Sequence, residues 1–358
     1  MECLGWRIAI SFRHGVILNK MKILILTRTI GLGSDNNAKQ INGNKISSYG
    51  RENISDAIGI KKALGNIHDV KILSLGEDAY YQIRIEKPDV IFNLCDTGFR
   101  DDPLLEPHVA AMYDILNVFY TGNNYFTIAL CQNKARAKEI LSFQNILTPK
   151  FQVFASADRK LDSDLKFPMI VKPIREDGSV GIRERSVVNS EEQLKQEIDH
   201  IVNIYKQEAL VEEFIDGREF TVSLMGNRRP IVLPIAEIDF SGMPTHLPKI
   251  VSYRAKWIKQ SIAFKNTPII SPAKIDEKIA KMIEDVSRKC YKVFGCRGYA
   301  RIDFRYNEKE NKLYTLEVNP NPDLSEEFDV AKSAAAAGMS YADLLLRIID
   351  FAMEKRYQ

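Results

Sequence analysis

The chain has 358 residues, 45% of them hydrophobic and 27% charged, with a net charge of only +3. That length exceeds what one hydrophobic core supports, so two or three domains are expected. So small a basic excess gives no footprint for nucleic acid or a membrane surface, and no apolar run is long enough to cross a bilayer.

Residues 1–20, MECLGWRIAISFRHGVILNK, break their apolar stretch with Arg7, Arg13 and His14 and offer no small-residue cleavage site. They make a poor secretory signal and are expected to be an extension outside the fold. Five cysteines without metal-type pairing read as reduced thiols in the cytoplasm. From Met21 to residue 122 short runs rich in Ile, Val and Leu, at 23–26, 70–75, 90–94 and 118–120, suit strands buried on both faces of a parallel sheet. Ile54, Ala57, Ile58 and Leu64 mark one helix face that stops at Gly65, and a second helix begins near Pro107. This part reads as an open α/β domain.

A second unit, 123–213, has a helix from Lys134 and strands at 151–154 and 168–172. A capping box at Ser190–Gln193 then opens a helix with Leu194, Ile198, Ile201, Val202 and Tyr205 on its buried face, before a strand at 209–215. The third unit, 214–358, mixes antiparallel strands with long helices. Two apolar stripes, Ile279 to Val293 and Tyr341 to Ala352, flank a hairpin of 298–306 and 313–319.

Alternate side chains of a strand share a face. In GYARIDFRY, Arg301, Asp303 and Arg305 oppose Ala300, Ile302 and Phe304; in LYTLEVN, Leu313, Thr315, Glu317 and Asn319 alternate against Tyr314, Leu316 and Val318. Pairing the strands brings Asp303, Glu317 and Asn319 to one point, hard oxygen ligands suited to Mg²⁺, although an ordinary exposed hairpin face shows the same alternation. Lys172 ends an apolar strand before the loop IREDGSVG, where a lysine and backbone N–H groups could hold phosphate, or simply form a turn. LVEEFIDGRE offers an extended backbone and carboxylates for a nucleoside, or a plain strand–turn–strand.

Taken together and in order, FPMIVKPIREDGSVGI, ALVEEFIDGREFTVSLMG, IVSYRAKWIKQ, GCRGYARIDF and LYTLEVNPNP resemble the ATP-grasp superfamily, and within it the D-alanine–D-alanine ligase family, over about residues 85–350. The resemblance implies an ATP-grasp fold: an α/β domain with an open parallel sheet, then two ATP-grasp subdomains, α+β in the C-terminal part. It implies ATP and Mg²⁺, two ions by expectation with Mn²⁺ as substitute. Carried over, Lys134 and Lys172 contact ATP phosphates, Glu212, Glu213 and Ile215 line the adenine edge, and Glu219 takes the ribose. Asp303, Glu317 and Asn319 hold the metal, while Arg301, Lys256 and Ser179 take the catalytic places. The implied reaction joins a small carboxylate to an amine, amino acids or short peptides, through an acyl phosphate; a homodimer stays open. The alternatives are an authentic D-alanine–D-alanine ligase of cell-wall synthesis, or an ATP-binding phosphotransfer protein without ligation. Departures cluster at the amino-acid end. Gly178 stands where the family has serine, Trp257 where it has tyrosine, and PNPDLS replaces a Thr-x-Pro-Gly-Met run, so that Asp323 is expected to repel a carboxylate. The family's glutamate near the first strand has no counterpart in Gly31–Asp35.

Overall fold

The computed structural model describes residues 19–28 and 48–354, with the side chains of 48–54 and of 101 left out. The expectations for residues 1–18 and for Gly31–Asp35 lie outside the described residues.

The first sheet is parallel. Strands β1 (Lys22–Thr27), β2 (Asp69–Ser74), β3 (Val90–Leu94) and β4 (Phe119–Tyr120) stand in the order β2-β1-β3-β4. Helices α1 (Ser48–Leu64), α2 (Ala79–Glu86) and α3 (Glu106–Ile115) connect them. Because β1 and β3 are central, their residues alternate between two cores. Ile23, Ile25 and Phe92 pack toward α1, whereas Leu24, Leu26 and Ile91 pack toward α2 and α3. The short α2, with only Ala79 and Ile83 buried, has too weak an apolar pattern to be read from sequence.

Two helices, α4 (Tyr125–Gln132) and α5 (Lys134–Phe143), lead into an antiparallel sheet of β5 (Phe151–Phe154), β6 (Met169–Pro173), β7 (Val187–Val188) and β8 (Ala209–Glu213), ordered β5-β8-β6-β7. Helix α6 (Glu191–His200) covers it through Leu194 and Ile198. The expected capping box is half present. Ser190 Oγ accepts the Gln193 N–H, but the Gln193 side chain takes the N–H of Asn189, one residue earlier than a box requires.

The largest sheet holds β9 (Arg218–Met225), β10 (Ile231–Val232), β11 (Ala236–Ile238), β12 (Ile269–Ile270), β13 (Tyr299–Asn307) and β14 (Lys312–Asn319). Between these lie α7 (Tyr253–Trp257), α8 (Ile262–Lys265) and α9 (Glu277–Val293), whose Ile283 and Cys290 enter the core under β9 and β13. After β14 come α10 (Asp329–Ala336) and α11 (Tyr341–Met353). They return to the first sheet: Leu344, Leu345, Ile348 and Ile349 share a core with Ile23, Ile25 and Phe92. Among the described residues, no helix is long and apolar enough to cross a membrane. Cys95, Cys131, Cys290 and Cys296 are buried free thiols whose pKa values burial raises.

Candidate active site

The β13–β14 hairpin sets the centre. Arg301 pairs in register with Asn319, and Asp303 with Glu317, so these four side chains share a face. Asn319 Nδ2 donates to Asp303 Oδ2 at 2.9 Å and to Glu317 Oε1 at 3.3 Å. Just beyond, the register slips by a bulge, and Phe304 faces Thr315. One extra residue reverses the alternation on β14. Leu316 therefore lines the same cleft as Glu317, whereas Thr315 and Leu313 are buried in the core. The strict alternation expected from sequence fails there, with no effect on the acidic pair.

Arg301 Nε and Nη2 each donate at 2.8 Å to Asp303, a bidentate fork, and its Nη1 lies 3.4 Å from Asp329. Burial pushes Asp303 up to about 7 against the pull of Arg301, and the neighbouring Glu317 adds to the rise. Burial alone would raise Glu317 too, but Lys134, Lys172 and Arg301 outweigh it and hold this carboxyl below its usual range. Two carboxylates and an amide so crowded are the oxygen set a hard divalent ion takes when phosphates and water complete its shell, and the strain on Asp303 is what such a cation relieves.

Two lysines reach this centre, one from α5 and one from β6. Lys134, first residue of α5, lies 2.8 Å from Asp177 and 3.5 Å from Glu317. Lys172 leaves β6 with its ammonium 2.6 Å from Glu212. Glu212 lines the cleft with its carboxylate buried between Lys172 and Lys138, each at 2.6 Å. Lys138 was missed, although its spacing of four from Lys134 places both on one helix face; it also donates to Thr148 Oγ1 and the Leu316 carbonyl.

Beyond β8 the backbone turns into the cleft. The N–H groups of Glu213 and Phe214 are taken by the carbonyls of Lys150 and Pro168, and Ile215 has the next N–H, unbonded among the described residues. Glu219, on β9, is buried and paired with Arg305, which is held by the carbonyls of Gly217 and Lys249. Burial raises the Glu219 pKa against that arginine.

Two loops cover the cleft and are tied together. Trp257 Nε1 donates to the Gly178 carbonyl at 2.8 Å, Ser179 Oγ to that of Val251 at 2.8 Å, and the Tyr253 N–H to that of Ile182. Gly181 has φ +79°, and a Cβ there would stand 2.4 Å from Pro173, so the loop folds onto β6 only with glycine. Lys256 stands 5.2 Å over the Trp257 ring and 5.9 Å from that of Phe328. The expected site residues thus meet around one cleft of about 1520 Å³. Lys134 and Asn319 stand behind its lining, joined through Glu317. Asp323 is elsewhere. Its Oδ1 closes its own turn on the Ser325 N–H and hydroxyl, beside a small crevice with Asp56 and Asn93, outside the main cleft.

Residues 140–350 match the family model described as the D-ala D-ala ligase C-terminus. A D-alanine–D-alanine ligase of Carboxydothermus hydrogenoformans is 32% identical over 260 residues, 69% of this chain and 77% of that protein. An uncharacterized protein of Sinorhizobium fredii, y4sG, is 36% identical over 75% of each chain. The crystal structure of a Bacillus anthracis D-alanine–D-alanine ligase complexed with ATP superposes with a TM-score of 0.69 at 22% identity, covering 93% of this chain and 97% of that one. That of the VanG D-Ala:D-Ser ligase from Enterococcus faecalis superposes with a TM-score of 0.67 at 19% identity, covering 94% and 100%. The fold is therefore ATP-grasp, and the protein is an ATP-dependent ligase of the carboxylate–amine type. Within that class the chain belongs to the D-alanine–D-alanine ligase family.

Proposed function

We propose that this ligase joins an amino-acid or short-peptide carboxylate to an amine larger than alanine, through an acyl phosphate formed from ATP. The observation that carries the chemistry is the convergence of Asp303, Glu317 and Asn319 with Lys134, Lys172 and Arg301 at one cleft. In this reading adenine lies along the turn after β8, within reach of the Ile215 N–H and the Glu213 backbone, while Glu219 receives the ribose. Lys172 and Lys134 bind phosphate oxygens, and Lys256 and Ser179 approach them from the covering loops. Asp303, Glu317 and Asn319 would hold Mg²⁺, which supplies charge neutralisation along the polyphosphate.

The substrate carboxylate oxygen bonds to the γ-phosphorus as the bond to ADP breaks. The amine nitrogen then bonds to the acyl carbon, inorganic phosphate leaves, and the amine gives up its proton. Arg301 is placed to hold the negative charge that grows in both steps, and such fixed charge in a dry site is usually the largest catalytic term.

The amino-acid end supports a substrate larger than D-alanine. Trp257 spends its only donor on Gly178, so the pair that replaces the family's tyrosine and serine joins the loops and leaves no hydroxyl for a small zwitterion. The closed turn of Asp323 removes the repulsion expected of it, and the substrate argument rests on Trp257 and Gly178.

The test is phosphate release from ATP and Mg²⁺ across pairs of D- and L-amino acids and dipeptides. Release should require both a carboxylate and an amine, with some pair faster than D-alanine with itself. Release fastest with two D-alanines would overturn the substrate reading; hydroxylamine-trapped acyl phosphate without any amide product would overturn ligation.

A further inference from the structure

Arg301 has two acidic partners held at different distances. Asp303 grips Nε and Nη2 at 2.8 Å, the length of a charge-assisted hydrogen bond, while Asp329 Oδ2 stands off at 3.4 Å from Nη1. Asp329 is the first residue of α10, a place where an acid commonly serves only the helix dipole. Its surroundings argue for more. It is 8% exposed, lines the cleft, and its Oδ1 is buried with no hydrogen-bond partner among the described residues. Ser333, one turn on along α10, and Ser223, opposite Arg301 in the β9–β13 ladder, are also buried, their hydroxyls without a partner among the described residues. Asp329 therefore keeps an unused acceptor in a polar nest beside Arg301. Asp303, by contrast, is spoken for twice, by Arg301 and by Asn319.

We propose that Asp329 is the positioning residue that takes over Arg301 when Asp303 turns to the metal, keeping the guanidinium fixed where charge develops. The inference rests on the ligase reading above. With one carboxylate withdrawn, a lone arginine would lose its bidentate fork; the second carboxylate, already 3.4 Å from Nη1 and with an acceptor to spare, keeps it anchored.

The experiment compares wild type, Asp329→Asn, Arg301→Ala and the double variant, using the fastest amino-acid pair found with ATP and Mg²⁺. Asp329→Asn should lower kcat at least tenfold while the KM for ATP stays within twofold. In the Arg301→Ala background the same change should cost less than twofold. The melting-temperature losses of the two single variants should be close to additive in metal-free protein, where Asp303 holds the fork, and clearly less than additive with Mg²⁺ and ATP bound. Additive losses in kcat, a melting-temperature coupling no larger with Mg²⁺ and ATP than without them, or an unchanged kcat in Asp329→Asn, would each overturn the hand-over. Wild type that releases no phosphate with any pair would instead bring down the ligase reading, and this proposal with it.

Discussion

Charge at single residues sets both the chemistry and the cost of this site. Asp303, forked to Arg301, and Glu317, beside Lys134, face each other in register, so under the proposed metal role neutralising either should remove metal affinity. Asp303→Asn and Glu317→Gln are each expected to lower phosphate release at least about a hundredfold, or about 2.7 kcal/mol, with a wild-type circular dichroism spectrum. Activity near wild type in either variant at millimolar Mg²⁺ would refute the metal role. Glu212 is a different case. It bridges Lys138 and Lys172 with its side chain 1% exposed, and removing one partner of a buried ion group strands the others at a cost of about 3–5 kcal/mol. Glu212→Gln should show that loss in urea unfolding. Burial would raise this carboxyl, but the two lysines outweigh it and hold it below its ordinary 4.5. Its stabilisation is therefore complete above that value and is lost as the pH falls through the depressed one. The Glu212→Gln deficit should shrink in acid, and a deficit constant from pH 7 down to pH 3 would show that the carboxylate charge is not what stabilises.

Elements decide which of these residues meet. Trp257 in α7 and Gly178 after β6 are far apart in sequence yet share a hydrogen bond that closes two loops over the cleft. Trp257→Phe keeps a ring near Phe328 but removes the donor, worth about 1 kcal/mol. It should raise the KM for ATP roughly fivefold with the melting temperature unchanged; an unchanged KM would mean that the tie does not hold the closed loops. That contact was not legible in the sequence, because a side-chain to backbone bond across two loops leaves no period. What was legible had a period or a local partner. The strand at 151–154 was read to the residue, the runs in the first sheet to within a residue or so, and the stripe on α9 by its spacing. The shared face of Arg301, Asp303, Glu317 and Asn319 followed from alternation, since all four lie before the bulge; Thr315 and Leu313 lie past it and were misplaced. Glu212 was read by backbone context alone, and which way its carboxylate turns depends on Lys138 and Lys172 from two other elements. Asp329 gave no signal beyond an acid opening a helix.

At the scale of the whole molecule, the chain's end completes its beginning. Sequence order placed α11 with the C-terminal sheet, yet its Leu344, Leu345, Ile348 and Ile349 fill the core over β1 and β3, and Phe351 and Ala352 extend that contact. Six buried side chains of this kind, at about 1.5–3 kcal/mol for each large one, amount to roughly 10 kcal/mol. That is comparable with the entire stability of an ordinary domain, about 5–15 kcal/mol. Among the described side chains, α1 covers the same face of β1 and β3 through Ala57, Ile60 and Leu64. Ending the chain at Gly338 should therefore unfold the parallel sheet although no strand has been removed. Leu345→Ala and Ile348→Ala, taken singly, should each cost about 2–5 kcal/mol through the cavity they leave. Urea unfolding of the point variants, with proteolysis of the truncated chain mapped by mass spectrometry, gives the test. Cuts should appear first between residues 65 and 125 in the truncated protein. A truncated chain that resists protease there as well as the full one would mean that α11 is an accessory to the first sheet and not part of its core.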